Sequence, residues 1–413
     1  MLKLNEKTYL ALMLILAPLS NFISGIALDL YAPSMPAITL YFNTSEQAVQ
    51  NTVSFFVFGW SIGCLFWGML FDVYGRKKII LFALKIFVLF SFIAIYCHSI
   101  FQLMMIRFIQ GIATAALSVG SRTLVADHFS GHKFNTAILN TSIVYGIGTI
   151  IGPFIGGYLQ HHFGWKANFY AFVMTGMLIL VLIKIFVQER FVKSKDYQLT
   201  EATRFYKTLL SHKRFISGCI IIGISQVELI IYPSVAPFLV EHSLGYSAIV
   251  YGNSALIVGA AYVIGSMVNR FLLKFLTQNH LLKIGFLIVL TSLLIQFLFI
   301  LNRQFNLMTL VIPVIVICFG NGFIFGNIIS NGIKLFKNNA GMATAIQISI
   351  SMGVSAIGIF LISFHNVSSL LDLFFIFLVT FSAKVLLYYF GFKKIFISHS
   401  EAQVRIQVVE PGN

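Results

Sequence analysis

Apolar residues in this chain come in long, nearly unbroken runs, and polar residues gather in the short intervals between them. About twelve runs each hold roughly the 20 residues that a helix needs to cross some 30 Å of hydrocarbon. Their approximate limits are 9–31, 52–71, 79–97, 101–125, 134–159, 167–187, 215–239, 247–269, 281–301, 306–332, 341–364 and 370–391. No interval is long enough to fold as a separate domain in water.

The longest polar interval, 188–214, divides the runs into two sets of six. It carries Arg190, Lys193, Lys195, Arg204, Lys207, Lys213 and Arg214 against Glu189, Asp196 and Glu201. We read it as a cytoplasmic linker between a bundle at 1–187 and a second at 215–392, with room for a short amphipathic helix on the membrane surface. Residues 393–413 form a polar cytoplasmic tail. A weak internal repeat supports the division: Gly68-to-Asp72 in the second run is echoed by Gly265-to-Asn269 in the eighth. The fold expected is all-α and polytopic, with about twelve transmembrane helices in two six-helix bundles.

Composition removes the soluble classes. Hydrophobic residues make up 58% of the chain and charged residues only 10%, with a mean hydropathy of +0.90, which no ordinary soluble domain matches. The net charge of +15 is topological. With the N-terminus in the cytoplasm, Lys3, Lys7, Arg76–Lys78, Lys133, Arg270, Lys274, Lys334, Lys337, Lys393 and Lys394 all face inward, and few cations besides Lys166 and Arg303 remain outside. Both termini are therefore expected on the cytoplasmic side of a bacterial inner membrane, and no nucleic-acid partner is needed. The first run lacks a small-residue cleavage site and reads as an uncleaved span. Cys64, Cys97, Cys219 and Cys318 stand singly in apolar surroundings, with no spacing for a metal or a disulfide. No cofactor is expected.

Four stretches carry candidate chemistry. Gly68, Leu70, Asp72, Gly75, Arg76 and Lys77 sit in GMLFDVYGRKK, between the second and third runs. Leu103, Arg107, Gln110 and Gly111 sit in LMMIRFIQG of the fourth, where an arginine in hydrocarbon must face protein or water or snorkel outward. The fifth run holds Gly148, Gly152, Pro153, Gly156 and Gly157, small residues that let helices approach and a proline that permits a bend. The first run ends in Asp29, Tyr31, Pro33 and Pro36.

The first of these resembles the loop signature G-x-L-x-D-R-x-G-R-R/K of the major facilitator superfamily, with Val73 in place of the usual first basic residue. The second resembles its L-x-x-x-R-x-x-Q-G signature, which implies a role for Arg107 in proton transfer. The third resembles its G-P-x-x-G-G antiporter signature. The fourth is similar to the D-x-Y-x-P-x-x-P run of the drug:proton antiporter-1 family, bicyclomycin/chloramphenicol-resistance subgroup, and that likeness extends through Arg122, Asp127, the HKRF entry to the seventh run, Pro237-Phe238 and Ala340-Gly341. The resemblance implies a proton-coupled secondary transporter, not an enzyme, working as a monomer on small molecules, protons and the lipid bilayer.

Asp29 and Glu228 are the candidate proton carriers, with Arg107 beside Asp29. Asp29 leads, with a solvated cap as its alternative, and Glu228 reads equally as a neutral hydrogen-bonded acid. Asn21, Tyr31, Gln110, Gln226, Tyr232, Asn321, Asn327 and Gln347 are candidates for lining a substrate cavity, although amides inside spans also hold helices together. Lys384 falls inside the last run with no evident partner. Asp72, capping a neighbouring helix, and Arg76, pairing with Asp127, form a candidate conformational latch that the superfamily likeness links to the outward-open state. Export of drugs or amphipathic metabolites is the leading expectation. Uptake, siderophore or metabolite transport on the same scaffold, and a non-transporting receptor or scaffold, are its rivals. An Asp72→Asn variant is expected to lose transport more than substrate binding; equal transport at equal expression would remove the latch.

Overall fold

The computed structural model describes residues 5–129, 131–189, 207–336, 340–365 and 367–393. Most of the linker and the tail lie outside the described residues, as does the side chain of Asp72. Twelve long helices follow one another: α1 (Glu6–Asp29), α2 (Glu46–Tyr74), α3 (Arg76–Ala94), α4 (Ile100–His128), α5 (Gly131–Phe163), α6 (Lys166–Phe186), α7 (Lys213–Phe238), α8 (Ala248–Leu272), α9 (Gln278–Leu301), α10 (Leu307–Leu335), α11 (Ala340–Ser363) and α12 (Leu370–Leu387). Beyond α1 the chain turns through Ala32–Ser34 and adds a short helix, Met35–Phe42, that lengthens the first span.

Among the described residues, eleven spans are long and apolar enough to cross a membrane. The exception is α3, which carries four cations, Arg76, Lys77, Lys78 and Lys85; its 19 residues still reach about 28 Å, and it packs against α4 and α6. Several helices start where side chains replace missing intrahelical acceptors. Ser45 accepts from the Ala48 N–H at 3.2 Å and Ser99 from the Gln102 N–H at 3.3 Å. Ser369 and Asp372 form a reciprocal capping box at α12. At the α2–α3 turn Gly75 takes φ +91°, a conformation that a side chain would strain.

The helices form two bundles. In the first, α2 and α3 pack on α4, and α1 on α5 and α4; in the second, α8 and α9 pack on α10, and α7 on α11 and α10. Buried apolar residues divide the same way, one cluster drawn almost wholly from residues 9–187 and another, apart from Ala32, from 221–392. Two seams join the bundles, α2 against α11 and α5 against α8.

Both seams are tight toward the face that holds Gly164. Ser61 and Ser349 exchange hydrogen bonds of 2.7 and 2.9 Å with each other's backbone carbonyls, and Ser363 donates to Asn51 at 2.8 Å. His242 meets Glu46 at 3.0 Å. Along the other seam, a Cβ at Gly157 would stand 2.6 Å from the Ala248 carbonyl oxygen, and one at Gly252 2.6 Å from that of Pro153. At Gly259 the clearance to Ile150 is 3.2 Å and at Gly146 to Val263 it is 3.7 Å. The bundles thus separate toward the face that holds Gly75.

Gly252→Val is expected to cost about 1–3 kcal/mol by overpacking and to lower the thermal unfolding midpoint in detergent. An unchanged midpoint would show that the seam yields freely.

Candidate functional site

Arg107 lies deep in the first bundle with no exposed surface. Its Nη1 donates to Gln110 Oε1 at 3.0 Å and its Nη2 to the Ala27 carbonyl at 2.9 Å. The guanidinium also stacks over Tyr31 and Phe56, 4.6 and 4.2 Å from their ring centres, where a cation gains from the ring faces. It neither snorkels nor pairs with Asp29. The helix period gives the reason: Ala27 and Asp29 are two residues apart on α1 and point about 200° away from each other. Arg107 grips α1 on one side, and Asp29 faces the other.

That other side is the junction with α5 and the second bundle. A Cβ at Gly152 would lie 3.2 Å from Asp29 Cβ, and one at Gly148 2.9 Å from Gly25 Cα. Gly156 abuts the Leu30 carbonyl, while Gly157 and Pro153 meet α8 at Ala248 and Gly252. The glycine–proline stretch is therefore where α1, α5 and α8 cross. Asp29 is half-buried there, within electrostatic reach of Tyr145 on α5 and Tyr251 on α8. Its carboxylate makes no hydrogen bond or ion pair to the described residues.

Most of the polar residues expected to line a cavity make hydrogen bonds inside a bundle. Asn21 donates to the Thr141 carbonyl at 3.0 Å, Tyr31 shares a 2.8 Å hydrogen bond with Thr52, and Gln110 donates to Ser91 at 2.9 Å. Asn327 donates to Asn269 at 2.8 Å, the position that echoes Asp72. Asn321 serves Glu228. Tyr232 bonds Ser254 at 2.6 Å and stacks on Tyr251. The Asn21 and Gln226 amide oxygens and both amide atoms of Gln347 are buried with no partner among the described residues, and they remain candidates to meet a ligand.

Glu228 is not unpaired. Its Oε2 accepts from Lys384 Nζ at 2.5 Å and from Asn321 Nδ2 at 2.8 Å, and its Oε1 accepts from Thr380 at 2.8 Å. Lys384 also donates to Asn321 Oδ1 at 3.2 Å. The two charged side chains are 0% and 1% exposed, so α7, α10 and α12 are pinned by an ion pair shielded from water. Neither Lys384 as the partner nor Thr380 could be found from spacing, since the three helices meet only in the fold.

In the loop stretch, Arg76 Nε lies 2.9 Å from Asp127 Oδ2, and Arg76 Nη1 donates to the Phe71 carbonyl at 3.0 Å. Lys77 donates to the Lys184 carbonyl at 3.0 Å. The acid at the start of α3 is Glu189, which accepts from the Arg76 and Lys78 N–H groups at 3.1 and 3.3 Å. A carboxylate there meets free N–H groups and the positive end of the helix dipole. Gly75 packs on that carboxylate, whereas a Cβ at Gly68 would meet nothing within 4 Å.

Two six-helix bundles thus meet along two seams, with an ionisable group at their crossing. The chain belongs to the Major Facilitator Superfamily, whose pattern it matches over residues 19–359. An uncharacterized transporter of Rickettsia bellii is 27% identical over 61% of this chain and 62% of its own length. A bicyclomycin resistance protein homolog of Haemophilus influenzae is 32% identical over 41% of this chain and 43% of its own. Both matches thus span less than two thirds of the relative. The chloramphenicol resistance protein CraA of Acinetobacter baumannii is 24% identical over 74% of each chain. In fold, the chain resembles a D-xylose–proton symporter, with a TM-score of 0.76 at 15% identity over 93% of this chain and 99% of the other. It also resembles an inward-facing bacterial homolog of the lysosomal transporter Spinster, with a TM-score of 0.71 at 16% identity over 94% and 96%.

Lys384→Met alone is expected to destabilise the protein by about 3–5 kcal/mol, because it strands a buried carboxylate. Adding Glu228→Gln should recover most of that loss in a detergent unfolding assay. Equal stability of the single and double variants would show that the pair is not what holds these helices.

Proposed function

We propose that the chain is a proton-coupled antiporter of the bacterial inner membrane that exports small amphipathic molecules, drugs among them, by rocker-switch alternating access. One observation carries the reading. Asp29, a carboxylate without a partner among the described residues, stands beside Gly152 and Pro153 where helices of both bundles cross. A proton on that group and the spacing of the bundles occupy the same place. Desolvation at a closed seam favours the neutral acid, and water in an open one favours the ion. The resistance to bicyclomycin and chloramphenicol for which two relatives are named supports efflux.

In this reading residues 1–187 and 215–392 are the rocking bodies, 188–214 links them and the tail is cytoplasmic. The cationic Gly75 face is cytoplasmic, in keeping with the excess of positive charge there, so the open side of the seams admits cargo from inside the cell. Rocking then exposes Asp29 to the outside, where it takes a proton and resets the cycle. Arg107 holds Asp29 in register by fastening the Ala27 carbonyl. Glu228, occupied by Lys384, holds α7, α10 and α12 together and takes a secondary part in coupling. Arg76, Asp127 and Glu189 secure the α2–α3 turn, with Asp72 assigned to the same latch. A single chain supplies the whole path.

Proteoliposomes with an imposed pH gradient test this. Wild-type protein should move substrate against the proton flow, and Asp29→Asn should lower coupled flux by roughly tenfold or more, the scale of about 1.4 kcal/mol, while still binding substrate. Flux in the same direction as protons would establish uptake instead. Unchanged coupled flux in Asp29→Asn would remove Asp29 as the carrier.

A further inference from the structure

Arg122 of α4 is a cation inside a span that the transport cycle above does not use. It lies fifteen residues beyond Arg107 on the same helix, about 22 Å further along the axis toward the Gly75 face. Two hydrogen bonds set its depth: Arg107 meets the Ala27 carbonyl at 2.9 Å, and Ser121 meets the Ala17 carbonyl at 2.7 Å. Its electrostatic neighbours are Cys64 on α2 and Tyr145 on α5. Those are the two first-bundle helices that form the seams with the second bundle. A side chain that reaches both must project from the side of α4 that faces the other half.

Arg122 is half-buried there and makes no hydrogen bond, ion pair or ring stack with any described residue. The acid nearest to it along the helix, Asp127, is paired with Arg76. Tyr145, half-buried beside it, likewise gives its hydroxyl to no described residue. The contrast within one protein is informative, since Arg107 has two hydrogen bonds and two aromatic faces and Lys384 has a carboxylate. A cation left without such partners in a span is costly unless it meets water or a ligand. It lies on the side where the seam widens from 2.6 Å clearance at Gly157 to 3.7 Å at Gly146.

We infer that Arg122 is the recognition point for an acidic group on the cargo, so that the transported molecules include amphipathic organic acids. The guanidinium fork matches a carboxylate with two parallel hydrogen bonds, and the Tyr145 hydroxyl is placed to add a third. Asp29, about four turns of helix away in depth, repels such an acid only weakly across a water-filled chamber. Proton and cargo then occupy separate stations. The inference rests on the transport reading for its meaning, but its test does not.

Isothermal titration of the purified full-length protein in detergent with three probes of one skeleton provides that test: naphthoate, neutral naphthamide and cationic naphthylmethylammonium. Wild-type protein should bind naphthoate about tenfold more tightly than either other probe. Arg122→Gln should erase that preference while leaving naphthamide binding and the unfolding midpoint unchanged, and Arg122→Lys should keep part of it. Equal binding of all three probes, no naphthoate binding at millimolar concentration, or full naphthoate binding by Arg122→Gln would each overturn the inference. Loss of naphthoate binding in Arg122→Gln, together with vesicles that show no proton-driven flux, would retain the acid site and sink the export reading alone.

Discussion

A charge carried into hydrocarbon must be paired, stacked or wet, and this constraint organises the whole protein. Arg107 is stacked between Tyr31 and Phe56 and tied to a backbone carbonyl. Glu228 is paired with Lys384 and saturated by Asn321 and Thr380. Asp29 and Arg122 make no hydrogen bond or ion pair with the described residues, and both neighbour Tyr145 of α5, a helix of the seam. Groups with complete partner sets hold each bundle rigid. Groups without them mark the space between.

Contacts within the bundles and between them are made differently. Lipid offers helices no hydrophobic drive to associate, so close packing and buried hydrogen bonds must do it. Inside the bundles these are numerous and continuous. Across the α5–α8 seam they reduce to glycines set against backbone, a contact made or broken without stranding a polar group. Such an interface is suited to open and close repeatedly. The glycine–proline stretch of α5 serves both purposes at once, since Gly148, Gly152 and Gly156 bind α1 while Gly157 and Pro153 face α8.

The spans, their number and their division were legible in the chain because hydrophobic thickness imposes a length on every helix. The loop and glycine stretches were legible for a similar reason, as tight turns and close crossings demand particular residues at particular steps. Partnerships across the fold were not. Asn21, Gln110 and Asn327 look identical in sequence to cavity residues, yet each donates to a neighbouring helix, whereas neither amide atom of Gln347 has a partner among the described residues. Glu189 at the start of α3 was hidden in a run of charges because its neighbour in space is more than a hundred residues away.

By itself, then, the sequence determined that this chain is a membrane-embedded pair of helical bundles of transporter type, since length, hydropathy and local turn chemistry act residue by residue along the chain. Only the tertiary structure decided which ionisable groups are neutralised and which stay available. Rotation of two residues along one helix turned Asp29 away from Arg107, and the meeting of α7, α10 and α12 gave Glu228 its lysine. Those are facts of packing between distant segments, and no local pattern encodes them.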